Sequence, residues 1–521
     1  AAEPQDGRVR AGKDGGMTIK TVRIPLVGSL INRNPNPSSF SGKDQTFDNC
    51  YPEVVSNPVT GKTKIYLNKR PGSTAGNSMS SVTAGAVTDG LYGGCVWTSA
   101  SSVTSPVVLS FEYGSNSTSV WRTDETRVGG DIPNTINCLV LTETALNGVG
   151  NLVGIFLDAT TQEAWFYPEG GAWTQITSNA FPLNFGSPEP LVGSPVFLNG
   201  RMYVMTTNGK IWNSDQNSVS TWTASAFNTA QSYPDGGSGL ARYKDLIVGF
   251  GKYSIEFFQD IGLTPSPIVS VGNVVNRIGA IRDTSQNGVF RTILTVSNTV
   301  YFIGNNSETG TLGIYRLNGY AAERISNSDI DKLLNSGVIL TLAGAFTAHG
   351  MSFIVASAVS GIIHHWVFCE ETKIWFKFTF EGNTPINTIV GSRGNAYYPM
   401  RTRINSIFAS SAVYKDGTST YTQTVQLESM DMGTQNRKIW KRFKVIGDIQ
   451  QSTSALTVKY SDDDYGNYTT AGTIDMNVQY QIENGLTRLG SSRRRSWKLE
   501  HSANTPNRME AIEIEYEVAP S

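Results

Sequence analysis

The sequence predicts an all-β protein, in which a β-propeller is followed by a β-sandwich. The chain of 521 residues contains 52 Gly with abundant Ser, Thr and Asn, a composition typical of many turns between short strands. Units of strand, turn and strand recur about every 45–50 residues, the length of a four-stranded propeller blade. Beyond about residue 418 this period stops, and longer strands with clean alternation follow, which favours a separate sandwich.

The N-terminal 80 residues precede the repeated units. Residues 1–16 ("AAEPQDGRVRAGKDGG") are polar and Gly-rich, so we expect a polar extension that is not part of the fold. Residues 17–80 are expected to form an N-terminal arm with hairpin character.

Residues 81–417 are predicted to form the propeller. Asn208 and Gly209 separate two β-rich runs, which is a strong hairpin signature. The same pattern recurs at 152–176, 244–258, 300–319 and 352–380. We expect about seven blades, with six to eight possible, and a ring closed partly by N-terminal strands.

One segment of the propeller region is predicted to be helical. "NSDIDKLLNSG" (327–337) offers Asn327 or Ser328 as the N-cap, and Gly337 ends the helix.

Residues 418–521 are predicted to form the sandwich, which the resemblance below describes as a platform. Its strands are expected in "KIWKRFKVIG", "ALTVKYSDDDYGNY", "RRRSWKLEH" and "AIEIEYEV". Each alternates apolar and polar residues, as strands with one buried face do.

Charge and cysteine usage exclude several classes of protein. The 42 basic and 43 acidic residues give a formal net charge of -1, which excludes a generally polybasic binder of nucleic acid or anionic membranes. No apolar run reaches about 18 residues, so no membrane-spanning segment is predicted. The four cysteines are far apart and are expected to be reduced, buried thiols rather than a zinc site or a disulfide framework.

Motifs for catalysis or metal binding are incomplete. In "SNPVTGKT" (56–63), Ser56 stands where a phosphate-binding loop has its first Gly, and the segment joins two strands. His364 and His365 are neighbours in a strand, so their rings point to opposite faces. We therefore predict no enzyme, no cofactor and no metal site.

Three consecutive acids occur in "YSDDDYGNYTT" (460–470), which is similar to the Asp-box turn of sialidase-type propellers. An extra residue separates Asp463 from Gly466, and Tyr468 replaces the Trp of that turn. The acids could bind a cation, but a solvated turn is favoured.

The Arg-rich strand near residue 495 carries the candidate site. Period-two alternation places Arg493, Arg495 and Trp497 on one face and Arg494 and Lys498 on the other. The candidate assembly interface comprises Arg488, Arg493, Arg495 and Trp497, because Arg beside an aromatic residue commonly anchors interfaces. If the last two strands form a hairpin, the expected in-sheet charge pairs join Arg494 and Lys498 to Glu513, Glu515 and Glu517.

Several stretches together resemble a known family. "QTFDNCYPEVV" (45–55) and "KIYLNKRPG" (64–72) resemble the N-terminal signature of bacteriophage tail hub proteins, also called packaged-DNA stabilisation proteins. "LARYKDLIVGFGKYSIEFFQDIG" (240–262) resembles their central blade motif. "KIWKRFKVIGD", "VKYSDDDYGNY" and "LTRLGSSRRRSWKLEH" resemble their C-terminal sheet, and the family is related to the tail nozzles of short-tailed phages.

This resemblance implies a structural role in the virion. Family members form a propeller and a platform, assemble as a hexameric ring below the portal and adaptor, and carry fibres or spikes. Such a ring extends the DNA exit channel, retains packaged DNA and passes it during ejection, so its contact with double-stranded DNA is transient and non-specific. The protein is then made in the host cytoplasm and resides in the phage tail.

Two other functions stay open at this point. One is a carbohydrate-binding or glycoside-hydrolysing virion propeller, where hydrolysis needs two carboxylates about 5–10 Å apart. The other is a soluble propeller that serves as a scaffold for other proteins.

Overall fold

The computed structural model describes most of the chain. The described residues are 19–27, 45–56, 63–76, 93–97, 107–112, 117–135, 137–146, 149–158, 161–230, 232–282, 291–338, 340–358, 365–381, 386–400, 403–409 and 413–519. The expected extension 1–16 and most of the turn in "SNPVTGKT" lie outside these residues.

The chain divides into two compact units, each built from separate segments. The first, called here the platform unit, takes the described residues within Ala1–Thr74, Trp366–Thr384 and Ile407–Ser521. The second, called here the propeller unit, takes those within Ala75–His365 and Pro385–Ser406.

The described residues of the N-terminal part form five strands. They are β1 (Ile19–Pro25), β2 (Thr46–Asp48), β3 (Cys50–Ser56), β4 (Thr63–Lys69) and β5 (Ser73–Ala75).

Five small antiparallel sheets follow in sequence and open the propeller unit. The first contains β6 (Gly94–Val96), β7 (Val107–Glu112), β8 (Ser117–Arg122) and β9 (Ile132–Pro133). The second contains β10 (Asn137–Leu146), β11 (Val149–Asp158), β12 (Thr161–Pro168) and β13 (Thr174–Gln175). After a short 3-10 helix (Pro182–Asn184), the third contains β14 (Leu191–Leu198), β15 (Arg201–Thr206), β16 (Lys210–Ser214) and β17 (Trp222–Thr229).

The fourth sheet contains β18 (Gly237–Tyr243), β19 (Leu246–Gly251), β20 (Ile255–Asp260) and β21 (Ile268–Asn276). The fifth contains β22 (Ile278–Ala280), β23 (Ile293–Val296), β24 (Thr299–Asn306), β25 (Leu312–Asn318) and β26 (Ala321–Arg324), and helix α1 (Ser328–Asn335) comes next. The later strands of this region are β27 (Leu340–Ala348), β28 (Met351–Ala358), β29 (His365–Cys369), β30 (Ile374–Phe378), β31 (Ile389–Ser392), β32 (Asn395–Met400) and β33 (Arg403–Ile407).

The inner strands of the propeller unit form a closed ring. Each of β6, β10, β14, β18, β23, β27 and β31 contacts the next, and β31 contacts β6 again. Strands β27 and β31 are paired in parallel, with Gly344 opposite Ile389. This radial arrangement of small sheets confirms the predicted propeller. The count of about seven blades stays an interpretation, because the last strands of the ring do not form separate four-stranded sheets.

Apolar side chains fill the space between successive sheets. Trp97 beside the first sheet meets Tyr167 of the second at a ring distance of 5.7 Å. Phe250 of the fourth sheet meets Phe302 of the fifth at 5.1 Å. Ile404 joins residues of the first sheet in one buried cluster, so the last strands pack against the first sheet. Each sheet therefore buries both faces against its neighbours.

Local sequence signals within the propeller unit are confirmed. Asn208 and Gly209 form the turn between β15 and β16, with Gly209 at φ +85°. Asn327 caps helix α1 by accepting a hydrogen bond from the Ile330 N–H, and Gly337 follows the helix at φ +89°. Gly76 donates its N–H to the Ile404 carbonyl, so an N-terminal residue bonds to the last strands, as expected.

The C-terminal strands complete the platform unit. They are β34 (Lys415–Asp416), β35 (Ser419–Thr420), β36 (Gln423–Gln426), β37 (Lys438–Gly447), β38 (Ala455–Ser461), β39 (Thr469–Asp475), β40 (Leu486–Thr487), β41 (Ser491–Ser492), β42 (Ser496–His501) and β43 (Arg508–Val518). A second helix, α2 (Gln479–Asn484), has no side-chain cap, and the sequence did not reveal it.

Two sheets pack face to face in the platform unit. One has the order β3-β4-β43-β37-β40, with β1 on β43 and β41 on β37. The other contains, within this unit, the order β39-β38-β42-β36-β2-β30-β29, which is part of a 13-stranded sheet order. Trp440 and Phe443 of the first sheet contact Trp497 of the second. The predicted β-sandwich stays an interpretation of this layering.

The platform unit draws on more of the chain than the predicted range 418–521. Strand β2 pairs with β36 through Thr46 and Gln426, and β1 runs along β43 with Ile19 opposite Glu517. Strands β1 to β4 of the predicted N-terminal arm (17–80) therefore lie in the platform sheets. None of the described helices is both long and apolar enough to cross a membrane.

We expect Gly344→Ala to destabilise the propeller unit. A Cβ at Gly344 would lie 1.9 Å from the Ile389 carbonyl oxygen, and the residue has φ +155°. The free energy of unfolding should fall by about 2 kcal/mol or more, measured by thermal unfolding.

Gly186→Ala is the matched control, since its Cβ meets no atom within 4 Å. Equal melting temperatures for the two variants would contradict the close approach of β27 and β31.

Candidate functional site

Arg495 lies in the interior of the platform unit. Its Nε and Nη2 donate to the two carboxylate oxygens of Asp462, each at 2.7 Å. Its guanidinium carbon lies 3.8 Å from the centre of the Tyr460 ring. Only 1% of the side chain is exposed. Arg495 is therefore a buried structural residue and not part of an assembly interface.

Trp497 is buried with it, at 0% exposure. Its ring lies 4.6 Å from Phe443 and 6.1 Å from Trp440. The placement of Arg495 and Trp497 in the candidate assembly interface was wrong. The physical reason is that β42 lies between β36 and β38, and this face of β42 packs on the other sheet.

Arg488 and Arg493 are exposed, as the assembly hypothesis requires. Arg494 is also exposed, and its guanidinium forms an ion pair with Asp464 at 3.2 Å. Arg488 lies between β40 and β41, and Arg493 and Arg494 directly follow β41. Arg488 and Arg493 stay candidates for an assembly contact.

The expected in-sheet charge pairs were wrong in their partners. Strands β42 and β43 lie in different sheets, and β43 pairs with β37 instead. The three glutamates of β43, called here the acidic ladder, thus form ion pairs with basic residues of β37. The pairs are Glu513–Lys444 (3.5 Å), Glu515–Arg442 (3.5 Å) and Glu517–Lys441 (3.0 Å). Lys498 pairs with Glu500 at 2.9 Å, in its own strand. A segment of only six residues, 502–507, connects β42 to β43 but crosses between the two sheets.

The three acids of the "DDD" turn are engaged within the protein. Asp462 pairs with Arg495 and Asp464 with Arg494. Asp463 accepts hydrogen bonds from the Asn467 N–H and the Ser461 hydroxyl, which hold the pKa of its carboxyl at about 2. The expectation of a turn rather than a cation site fits this geometry. In the described part of the chain, no cluster of His, Cys, Asp and Glu is arranged to hold a metal.

Each buried histidine of the described residues bonds to a hydroxyl group. His365 Nδ1 lies 2.7 Å from the Ser357 hydroxyl, and His501 Nε2 lies 2.8 Å from the Ser454 hydroxyl. His364 lies outside the described residues. These contacts are typical of packed core histidines.

A second buried cation, Arg70, was not singled out in the sequence. Its guanidinium donates to Asp416 at 3.0 Å, to Asn49 at 3.0 Å and to the Thr379 carbonyl at 2.6 Å. It also stacks on Tyr421, with 3.9 Å to the ring centre. The only sequence signal is the pair Lys69-Arg70 at the end of a strand of mixed polarity, which is not specific.

Lys69 lies beside Arg70 and is also buried. Its Nζ donates to the Ala503 carbonyl at 2.6 Å. Burial, together with the charge of Arg70, lowers the pKa of Lys69 to about 7, although Asp416 partly opposes this. Burial and the charge of Lys69 lower the pKa of His501 to about 3, so its imidazole is neutral near pH 7.

A cleft of about 680 Å³ lies beside the exposed arginines. We call it the basic cleft, and it is lined by Ile439, Trp440, Lys441, Thr487, Arg488, Gly490 and Ser491. Strand β37 forms one wall, and the segment from β40 to β41 forms the other.

We expect Arg495→Ala to lower the free energy of unfolding by about 3 kcal/mol, because it leaves Asp462 without its buried partner. Arg493→Ala, two residues away and exposed, should change it by less than about 0.5 kcal/mol. Urea unfolding of both variants measures the difference. Similar values for the two would mean that Arg495 is not structural.

We expect stability to rise with pH above neutrality through Lys69. The folded pKa of Lys69 is about 7, whereas its ordinary value is 10.5. Between these values the unfolded chain binds the proton and the folded chain does not, so the unfolding free energy increases by about 1 kcal/mol per pH unit. Urea unfolding at pH 7.5 and pH 9 should show this increase in wild type but not in Lys69→Met.

Lys20→Met is the matched control, because Lys20 is exposed on β1. If wild type and Lys69→Met respond equally to pH, the pKa of Lys69 is not lowered in the folded protein.

Comparison with known proteins identifies a family for the central part of the chain. Residues 176–345 match the family model described as "Bacteriophage P22 Gp10, beta-propeller". The matched range runs from the end of the second sheet to the middle of β27. No curated protein matches the sequence.

The solved structures that match are distant from this chain in both sequence and structure. A catalytically inactive virginiamycin B lyase from Staphylococcus aureus with quinupristin has 11% identity and a TM-score of 0.40, over 64% of this chain and 98% of that chain. The computationally designed protein Ika8 has 12% identity and a TM-score of 0.35, over 67% of this chain and 86% of that chain. Residues 176–345 are thus similar to the propeller of a phage stabilisation protein family, which confirms the resemblance to packaged-DNA stabilisation proteins predicted from the sequence.

Proposed function

We propose that this chain is a structural subunit of a phage tail nozzle or hub. It assembles as a hexameric ring that extends the DNA exit channel below the portal and adaptor. The ring retains packaged DNA and passes it during ejection, with transient, non-specific contact to the duplex. Tail fibres or spikes are its further partners, and the protein is made in the host cytoplasm before it joins the virion.

One observation carries this proposal, namely the match of residues 176–345 to a phage stabilisation family. The match covers the third, fourth and fifth sheets of the propeller unit. The platform unit provides a second β-layered body on which neighbouring proteins can assemble.

The distribution of charge supports a conduit rather than a DNA clamp. The most basic strand, β37, presents Lys441, Arg442 and Lys444 to the acidic ladder of β43. Free cations strengthen DNA binding cumulatively, since each one neutralises a phosphate and releases its counterions. Because these cations are paired with glutamates, they are not free to neutralise phosphates. A surface of this kind binds DNA weakly and allows the DNA to move.

We propose a structural role without enzymatic activity. The turn that resembles an Asp-box is a structural hairpin in which Asp462 and Asp464 are paired with Arg495 and Arg494. The exposed Arg488 and Arg493 are proposed to contact another protein of the tail.

Purified protein should have about six times the mass of one chain and should show six-fold rings by negative-stain electron microscopy. Light scattering coupled to size exclusion at 50 mM and 500 mM salt measures the mass. A 60-base-pair duplex should bind weakly, with an affinity that falls steeply as salt increases.

A compact monomer at all protein concentrations would contradict the ring. Tight DNA binding that persists at high salt would contradict the conduit, even if the ring forms.

A further inference from the structure

The rim of the basic cleft carries arginines that are not neutralised. Strand pairing of Lys438 with Ser492 brings Arg437 beside Arg493, and Arg488 lines the cleft itself. All three are exposed, and no carboxylate among the described residues forms an ion pair with them. This contrasts with Lys441 in the same cleft, which is paired with Glu517 at 3.0 Å.

A further cation lies directly beneath this rim. Lys438 is buried at 0% exposure, and its ammonium group donates to the carbonyls of Thr434 and Arg493. Burial lowers the pKa of Lys438, and Asp431 partly offsets this shift. When Lys438 is protonated, its charge adds to the positive potential of the rim, because a low-dielectric interior screens it little.

The floor of the cleft contains one apolar side chain. Ile439 of β37 lines the cleft and is half-buried. Trp440 is the next residue of the strand, so its side chain points to the opposite face, where it is buried against Trp497 of the other sheet. Arginines around an apolar contact are typical of the centres of protein interfaces.

We propose that the basic cleft binds an acidic polypeptide segment with a central apolar side chain, presented by a protein other than a copy of this chain. The apolar side chain packs on Ile439, and the flanking carboxylates pair with Arg488, Arg493 and Arg437. This inference rests on the proposed function, which supplies other tail proteins as neighbours, and it names the chemistry of one of them.

Charge complementarity alone would also allow duplex DNA, but the shape of the cleft favours a peptide. DNA phosphates can pair with the arginines at the rim. The duplex has no flexible apolar side chain to enter a cleft of about 680 Å³ and cover Ile439. A peptide can pair with the arginines at the rim and also pack on Ile439.

In a second copy of this chain, the described segments that place an acid directly before an exposed large apolar residue are poor occupants. The exposed large apolar residues that directly follow an acid are Val54 after Glu53, Ile261 after Asp260 and Ile449 after Asp448. Glu53 and Asp448 are both bonded to Arg508, at 2.7 and 2.8 Å. Asp260 accepts a hydrogen bond from Asn199 at 2.9 Å. These carboxylates are already engaged within their own chain.

The test uses the full chain and a fluorescein-labelled synthetic peptide with one Leu flanked by two Glu on each side. Fluorescence anisotropy measures binding to wild type and to Arg488→Glu/Arg493→Glu. We expect the double variant to weaken binding by about tenfold or more, because it reverses two charges at the rim. Replacing Leu by Ser, or all Glu by Gln, in the peptide should also weaken binding to wild type.

Arg277→Glu is the matched control, since Arg277 is exposed in the propeller unit and 3.8 Å from Glu308. It should leave peptide affinity within about twofold of wild type. All variants should keep the wild-type melting temperature.

Three results would overturn the inference. One is a peptide affinity unchanged by the double variant. Another is preferential binding of a 20-base-pair duplex that the double variant abolishes, which assigns the surface to DNA. The last is a reduced oligomer mass of the double variant, which makes a second copy the occupant. The proposed function is tested separately by whether wild type forms a ring. Peptide binding can be measured both on the ring and on the single chain, so the two tests can fail independently.

Discussion

A small β-sheet with two apolar faces cannot be stable until both faces are covered, and this constraint shapes the propeller unit. Its sheets solve the problem by packing on one another in sequence, so that aromatic pairs such as Trp97–Tyr167 and Phe250–Phe302 lie between sheets. The first sheet then needs a partner on its free side. Residues of the last strands supply it through the cluster that contains Ile404. Ring closure is thus a requirement of burial and not an added feature.

The platform unit meets the same requirement with two sheets and places charges between them. Arg495 with Asp462 and Arg70 with Asp416 are buried or partly buried pairs. Pairs of this kind add little net stability relative to apolar packing, but removing one partner is costly. Both arginines also bond to backbone carbonyls, those of Leu489 and Thr379. They therefore fix the relative positions of distant chain segments within the unit.

The sequence predicted best those features that depend on neighbouring residues. The Asn208-Gly209 turn and the Asn327 cap follow from local backbone preferences, and the regular spacing of hairpins led to the propeller. Pairing between distant strands has no local signal. A short connection after His501 suggested a hairpin between β42 and β43, whereas β43 pairs with β37, some 70 residues away.

The candidate site shows the same limit. Alternation correctly separates Arg495 and Trp497 from Arg494 and Lys498, but it does not tell which face a second sheet covers. Arginine beside tryptophan is frequent both at interfaces and in buried cation–aromatic packing, so residue type alone cannot distinguish the two. Arg488 and Arg493 are exposed because they lie in turns around the two-residue strand β41. Such a short strand could not be predicted from its sequence, Ser491-Ser492.

The pairing of β1 with β43 has a consequence for the order of events during translation. Ile19 faces Glu517, and β2 pairs with β36, so β1 and β2 leave the ribosome long before the strands with which they pair. The whole propeller unit is synthesised in between and can fold first. Until β36 and β43 are made, β1 and β2 carry unpaired edges, and exposed strand edges favour aggregation.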